Sequence, residues 1–126
     1  MDDNRAFRVL SRREIELLRM QGCFAEDWGL IEVADGFDPA CVRNSHFSGR
    51  VRLGRFSDNV RLPGGFEKPS GIYNAVLSNC TVGDNTRISN VPDRIANYDI
   101  AERVCIENVS TMQTNPGATF GNGVEI

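Results

Sequence analysis

Apolar side chains return at every sixth position through the second half of the chain. Val76, Val82, Ile88, Ile100, Ile106 and Met112 form the series, and only position 94, an arginine within VPDRIANYD, breaks it. A companion stands two residues ahead of most steps: Cys80, Thr86, Tyr98, Val104 and Ser110. Residues two apart share one face of a strand, so Cys80/Val82, Thr86/Ile88 and Val104/Ile106 each point to a common side. The register then slips by two and resumes as Ala118/Phe120 and Val124/Ile126; upstream, Ser45/Phe47 and Val51/Leu53 show the same beat. A period of six is not a helical face, whose apolar positions recur at three, four and seven residues. Gly83-Asp84-Asn85 and Gly121-Asn122-Gly123 supply corner residues that tolerate positive backbone angles, and Glu107-Asn108 serves likewise between them. Short strands joined by such corners predict a mainly β fold, a single-stranded, three-sided parallel β-helix. Three beats close one coil, and the next stacks about 4.8 Å above it. An ordinary sandwich of short strands gives no reason for the fixed beat. PGGFEKPSG, residues 63–71, reads as a loop that interrupts it.

The amino-terminal part follows another rhythm. SRREIELLRMQG, residues 11–22, predicts a capping helix: Ser11 and Glu14 form a capping box, Ile15, Leu18 and Met20 an apolar side that Leu17 widens, and Gly22 the stop. CFAEDWGLIEVADGFDPA reads as irregular, with a short strand near Leu30 to Val33. The expected organisation is therefore a helix and irregular cap over residues 1–40 and a repeat domain over 41–126. FGNGVEI stops in mid-beat, so the repeat is expected to continue beyond residue 126 or to be covered by another subunit.

Composition narrows the class. At 126 residues and 40% hydrophobic content the chain is one globular domain. No apolar run approaches the roughly 18 residues of a membrane helix, and MDDNRAFRVL lacks a signal-peptide core, which predicts a cytoplasmic protein without membrane partners. The net charge of −3 argues against nucleic acid. Lys68 is the single lysine, and Arg50, Arg52 and Arg55 crowd one segment with Arg43 and Arg61 nearby. These arginines are either an anion site or the outward positions of alternating strands. Cys23, Cys41, Cys80 and Cys105 form no CxxC pair and His46 is the only histidine, so no metal site is expected.

The alternation Val-Gly-x-x-Thr-x-Ile resembles the hexapeptide transferase repeat, and that resemblance implies left-handed coils. QGCFAEDWGLIEVADGFDPACVRNSHFSGRVRLG, GIYNAVLSNCTVGDNTRI and NYDIAERVCIENVSTMQTNPGATFGNGVEI look like the amino-terminal part of a family of long bacterial hexapeptide-repeat proteins. That family is catalogued as a domain of unknown function and labelled as related to UDP-N-acetylglucosamine pyrophosphorylase. The resemblance implies a sugar-nucleotide-related or acyltransferase-like protein with a sugar-nucleotide or acyl-thioester ligand. In the acyltransferase reading it implies a homo-oligomer, a trimer, with a histidine as general base. His46, in RNSHFSG, is then the catalytic candidate, flanked by Asn44, Ser45 and Ser48 as orienting groups. Asp84 and Glu107 are candidates only for orientation. The glycine clusters PGG (63–65) and GNG (121–123) lack the strand-to-helix setting of a phosphate loop. The alternative reading is a non-catalytic β-helical scaffold or a sugar- or nucleotide-binding module. The asparagines Asn79, Asn85, Asn90, Asn108, Asn115 and Asn122 would then bind sugar hydroxyls or form ladders, unless they serve the backbone at corners.

Overall fold

The computed structural model describes residues 6–120. The expected pair Val124/Ile126 and the corner Gly121-Asn122-Gly123 lie outside the described residues. Strand β1 (Phe7–Val9) and helix α1 (Arg12–Met20) are followed by β2 (Phe24–Ala25), β3 (Ile31–Ala34), β4 (Val42–Arg43), β5 (His46–Ser48) and β6 (Val51–Leu53). Then come β7 (Asn59–Arg61), β8 (Glu67–Pro69), β9 (Gly71–Ser78), β10 (Thr81–Val82), β11 (Arg87–Ile100), β12 (Cys105–Glu107) and β13 (Thr111–Phe120). Single turns of 3-10 helix occupy Trp28–Leu30, Pro39–Cys41 and Pro63–Gly65.

Helix α1 starts where the capping box requires. The Glu14 amide donates to Ser11 Oγ at 3.1 Å, and Glu14 Oε1 accepts from the Ser11 amide at 2.9 Å. Leu18 is fully buried and carries the helix into the core, while the helix packs against the Pro39–Cys41 turn. Arg8 of β1 donates two hydrogen bonds of 2.8 Å to the Glu14 carboxylate. That guanidinium, followed in effect by the opposing desolvation and the Ser11 amide, brings Glu14 down to about 2. A carboxyl depressed in the folded state stabilises it fully above the unfolded value near 4.3 and loses that contribution as pH falls toward 2. Glu14→Gln is therefore expected to lower stability at pH 7 by no more than about 1 kcal/mol, since the pair lies at the surface. The difference from the parent should shrink as pH falls from about 4 and vanish below about 2 in urea melts.

Eleven strands form one sheet that curls around the core as a half-barrel. Its parallel ladders align interior residues in columns. Ala25, Phe47, Leu77, Ile95 and Met112 form one, Val33, Leu53, Val82 and Ile100 the second, and Val42, Ile72, Ile88 and Ile106 the third. All of them are buried. Strands β2 and β3, and with them the segment after the helix, belong to this same sheet.

The architecture corrects the expected regular, left-handed, single-stranded parallel β-helix of hexapeptide repeats. The sheet is mixed: β1 runs antiparallel to β3, and β7 and β8 form a separate antiparallel pair. Strands β9, β11 and β13 run 8, 14 and 10 residues, and β9 and β11 bend within their own length, at Asn74 and at Asn90 and Asn97. The beat itself is uneven. Interior residues run Ile72, Leu77, Val82, Ile88, Ile95, Ile100, Ile106 and Met112, in steps of five, five, six, seven, five, six and six. Val76 is only half-buried while Leu77 fills the interior, and Ile95 rather than position 94 faces inward. The cause lies in β11, which places four residues from Val91 to Ile95 against two from Ala75 to Leu77 of β9; such a bulge shifts every later side chain.

Sharp bends between ladders are set by asparagine. Asn44, Asn74, Asn79, Asn85, Asn90, Asn97 and Asn108 all have φ between 51° and 68°, the left-handed region that asparagine tolerates better than most residues. Some are stacked: Asn44 Nδ2 donates to Asn74 Oδ1 at 2.6 Å, and Asn90 Nδ2 to Asn108 Oδ1 at 2.7 Å. Asn85 is buried, and its Oδ1 accepts from the amides of Ser57 and Asp58, both at 2.9 Å. Asn85→Ala leaves two amides without their acceptor and strains the bend, so a loss of about 2–4 kcal/mol is expected. Asn85→Gly relieves only the strain and should recover part of that loss in urea denaturation.

Candidate functional site

Residues 63–71, read from the sequence as a loop, belong to an antiparallel hairpin. Strands β7 and β8 pair Val60 with Lys68 and Arg61 with Glu67. Gly64 and Gly65 take positive φ at the tip, where the Leu62 amide donates to the Phe66 carbonyl at 2.7 Å. Alternation then sorts the side chains. Val60 is buried toward the sheet and Lys68 follows it, while Arg61 and Glu67 pair at 3.4 Å on the other side. The base is fixed by Asn85 on one arm. On the other, Arg87 Nη1 donates to the Pro69 carbonyl at 2.8 Å and Tyr73 Oη to the Ser70 carbonyl at 2.7 Å. The Arg87 guanidinium lies 5.0 Å from the Tyr73 ring centre.

Under the hairpin tip is a cleft of about 460 Å³ lined by Leu62, Pro63, Phe66, Glu67, Lys68, Cys105 and Glu107. Its floor is the outward row of β12. Glu107 Oε2 accepts from Arg87 Nε at 2.8 Å, and both its oxygens accept from Lys68 Nζ, at 3.2 and 3.3 Å. Burial is the largest single influence on Glu107 and pushes it up; the hydrogen bonds and charges of Arg87 and Lys68 together hold it below the usual carboxylate range. Phe66 stands 71% exposed at the rim, and Cys105 lies nearly buried at the floor.

The sequence candidate lies elsewhere. His46 is exposed on the outer side of β5, its ring edge-on to Phe24 at 5.8 Å. Two of the groups expected to orient it turn away: Asn44 bonds Asn74, and Ser45 is fully buried, donating to the Arg43 carbonyl and accepting from the Ala75 amide. Asp84 accepts from the Arg55 amide at 2.7 Å, and Glu107 belongs to the cleft. The arginine segment disperses. Arg52 pairs with Glu32 at 2.9 Å and lies over the Phe7 ring, Arg61 pairs with Glu67, and Arg43 donates to the Ala40 carbonyl. No disulfide joins the cysteines, and burial pushes Cys23, Cys41 and Cys80 up, away from the reactive thiolate. Among the described residues, no three His, Cys, Asp or Glu side chains gather in a metal-holding group.

Fold and cleft together define a curled, mainly β module carrying an inserted hairpin. The chain belongs to the family described as "Domain of unknown function (DUF4954)", which matches residues 7–126. A relative from Treponema pallidum (strain Nichols), described as "Uncharacterized protein", is 34% identical over 120 residues. The match covers 95% of this chain and 16% of the relative, so the chain spans a small part of that protein's length. No solved structure matches. The resemblance to hexapeptide-repeat proteins labelled as UDP-N-acetylglucosamine pyrophosphorylase-related is thereby corrected. Neither the family nor the relative carries that connection, and the uneven interior steps remove its structural basis. No helix among the described residues is long and apolar enough to cross a membrane.

Proposed function

We propose that this chain is a non-catalytic structural module, a stiff β segment that supports other parts of a longer polypeptide. The observation that carries this reading is how the ionic groups of the cleft are arranged. Glu107 is held by Arg87 and Lys68, and Glu67 by Arg61, so these carboxylates act as clasps for the hairpin. A general base needs a free lone pair near its substrate and a pKa near working pH, and Glu107 is held low by its two cations. His46 sits against Phe24 with Asn44 and Ser45 bonded elsewhere. Four cysteines without a disulfide among them fit a reducing, cytoplasmic setting.

Calorimetry with an acyl-coenzyme A thioester and with a UDP-sugar tests the reading, on the parent and on His46→Ala. The expected result is no turnover of either compound and the same melting temperature in both proteins. Acyl or sugar transfer that disappears in His46→Ala would overturn it in favour of an acyltransferase-like or sugar-nucleotide enzyme.

A further inference from the structure

The hairpin is an insertion that the ladders do not need. Parallel partners lie 16 to 22 residues apart elsewhere, but 30 apart at Val42 and Ile72 or Phe47 and Leu77, and 29 at Leu53 and Val82. The extra residues build β7, β8 and the tip, and with them the cleft. Its roof is apolar, made by Leu62, Pro63 and an exposed Phe66; its wall carries one ammonium, Lys68. Glu107 has two cationic partners of unequal grip. Arg87 holds it at 2.8 Å with a side chain only 15% exposed, whereas Lys68 sits at 3.2 Å with a side chain 45% exposed. Lys68 can therefore turn to another anion while Arg87 keeps Glu107 paired. An ammonium has three donors, and Glu107 takes two of them.

We propose that this cleft binds small amphipathic anions: an apolar chain or ring bearing a single anionic headgroup. The apolar part lies against Phe66, Leu62 and Pro63, and the headgroup takes the Lys68 ammonium. The cleft volume of about 460 Å³ suits a ligand of that size. The charge count sets the sign of the ligand. Each carboxylate around the cleft already has an arginine, which leaves Lys68 as the cation free to exchange.

Fluorescence titration with 8-anilinonaphthalene-1-sulfonate, a naphthalene and a phenyl ring with one sulfonate, tests the proposal on the full chain. Saturable one-to-one binding is expected, weakened about tenfold, or about 1.4 kcal/mol, by Lys68→Met. Phe66→Ser should weaken it similarly; because Phe66 is exposed at the tip, this variant keeps the test valid if Lys68→Met fails to fold. Arg50→Ala, on an exposed side chain away from the cleft lining, should leave it unchanged. Octanoate or octyl phosphate should displace the dye, and whichever does so at lower concentration identifies the headgroup as carboxylate or phosphate. Octylamine should not displace it. Non-saturable binding, binding indifferent to both cleft substitutions, or equal displacement by octylamine would overturn the proposal. None of these readouts depends on His46, so the test of the structural-module reading stands apart from this one.

Discussion

Gly71→Val is expected to abolish the native sheet, a loss of more than about 4 kcal/mol. Gly71 has φ of +133°, and a Cβ added there would stand 2.2 Å from the Cys41 carbonyl oxygen. That oxygen is backbone, at the end of the Pro39–Cys41 turn, so no rotamer change relieves the clash. Gly71 also opens β9, donating its amide to the Thr86 carbonyl at 2.9 Å. The substitution thus strikes where β9 meets both the Pro39–Cys41 turn and the segment leading into β11. Gly65→Val is the matched control. Its φ is +84° but the space beside it is open, so it bears only the conformational cost of about 1–2 kcal/mol. Urea denaturation of both variants separates the two effects; equal losses would show that the close approach does not matter.

The second large effect tests which neighbour points inward. Leu77→Ala is expected to cost about 2–5 kcal/mol, as for other fully buried leucines, and Val76→Ala under about 1 kcal/mol. The same contrast should hold for Ile95→Ala against Arg94→Ala. Leu77 and Ile95 are neighbours in one interior column, with Phe47 and Met112 beyond them. Removing either leaves a gap between layers that the paired backbones cannot close. A larger loss for Val76→Ala than for Leu77→Ala would restore the strict six-residue beat.

Local chemistry was readable from sequence where it is decided within a few residues. Ser11 and Glu14 cap the helix because both partners lie within one turn. Ile88 is interior because it is a lone branched aliphatic between polar neighbours, and Val82, Ile100 and Ile106 because each is the one large aliphatic beside smaller residues. Asn79, Asn85, Asn90 and Asn108 take the positive φ that their residue type permits. Where two apolar residues adjoin, as Val76 and Leu77 do, periodicity cannot choose between them; the bulge in β11 chooses. Antiparallel β1 was hidden because Phe7-Arg8-Val9 is too short to show a pattern. The cleft was hidden for a different reason. Lys68 and Glu107 are 39 residues apart, and only the stacking of ladders brings them together. The signals that pointed there were a single lysine and a break in the beat.

The order of the ladders also bears on how this chain is made. Every parallel pair joins residues 16 to 30 apart in the sequence. A segment leaving the ribosome can therefore dock on what has already emerged, without waiting for distant sequence. Synthesis and assembly run in the same direction. A stalled chain from which Gly83 has emerged should already protect the amides of Arg52 and Gly54, whose acceptors are the Cys80 and Val82 carbonyls.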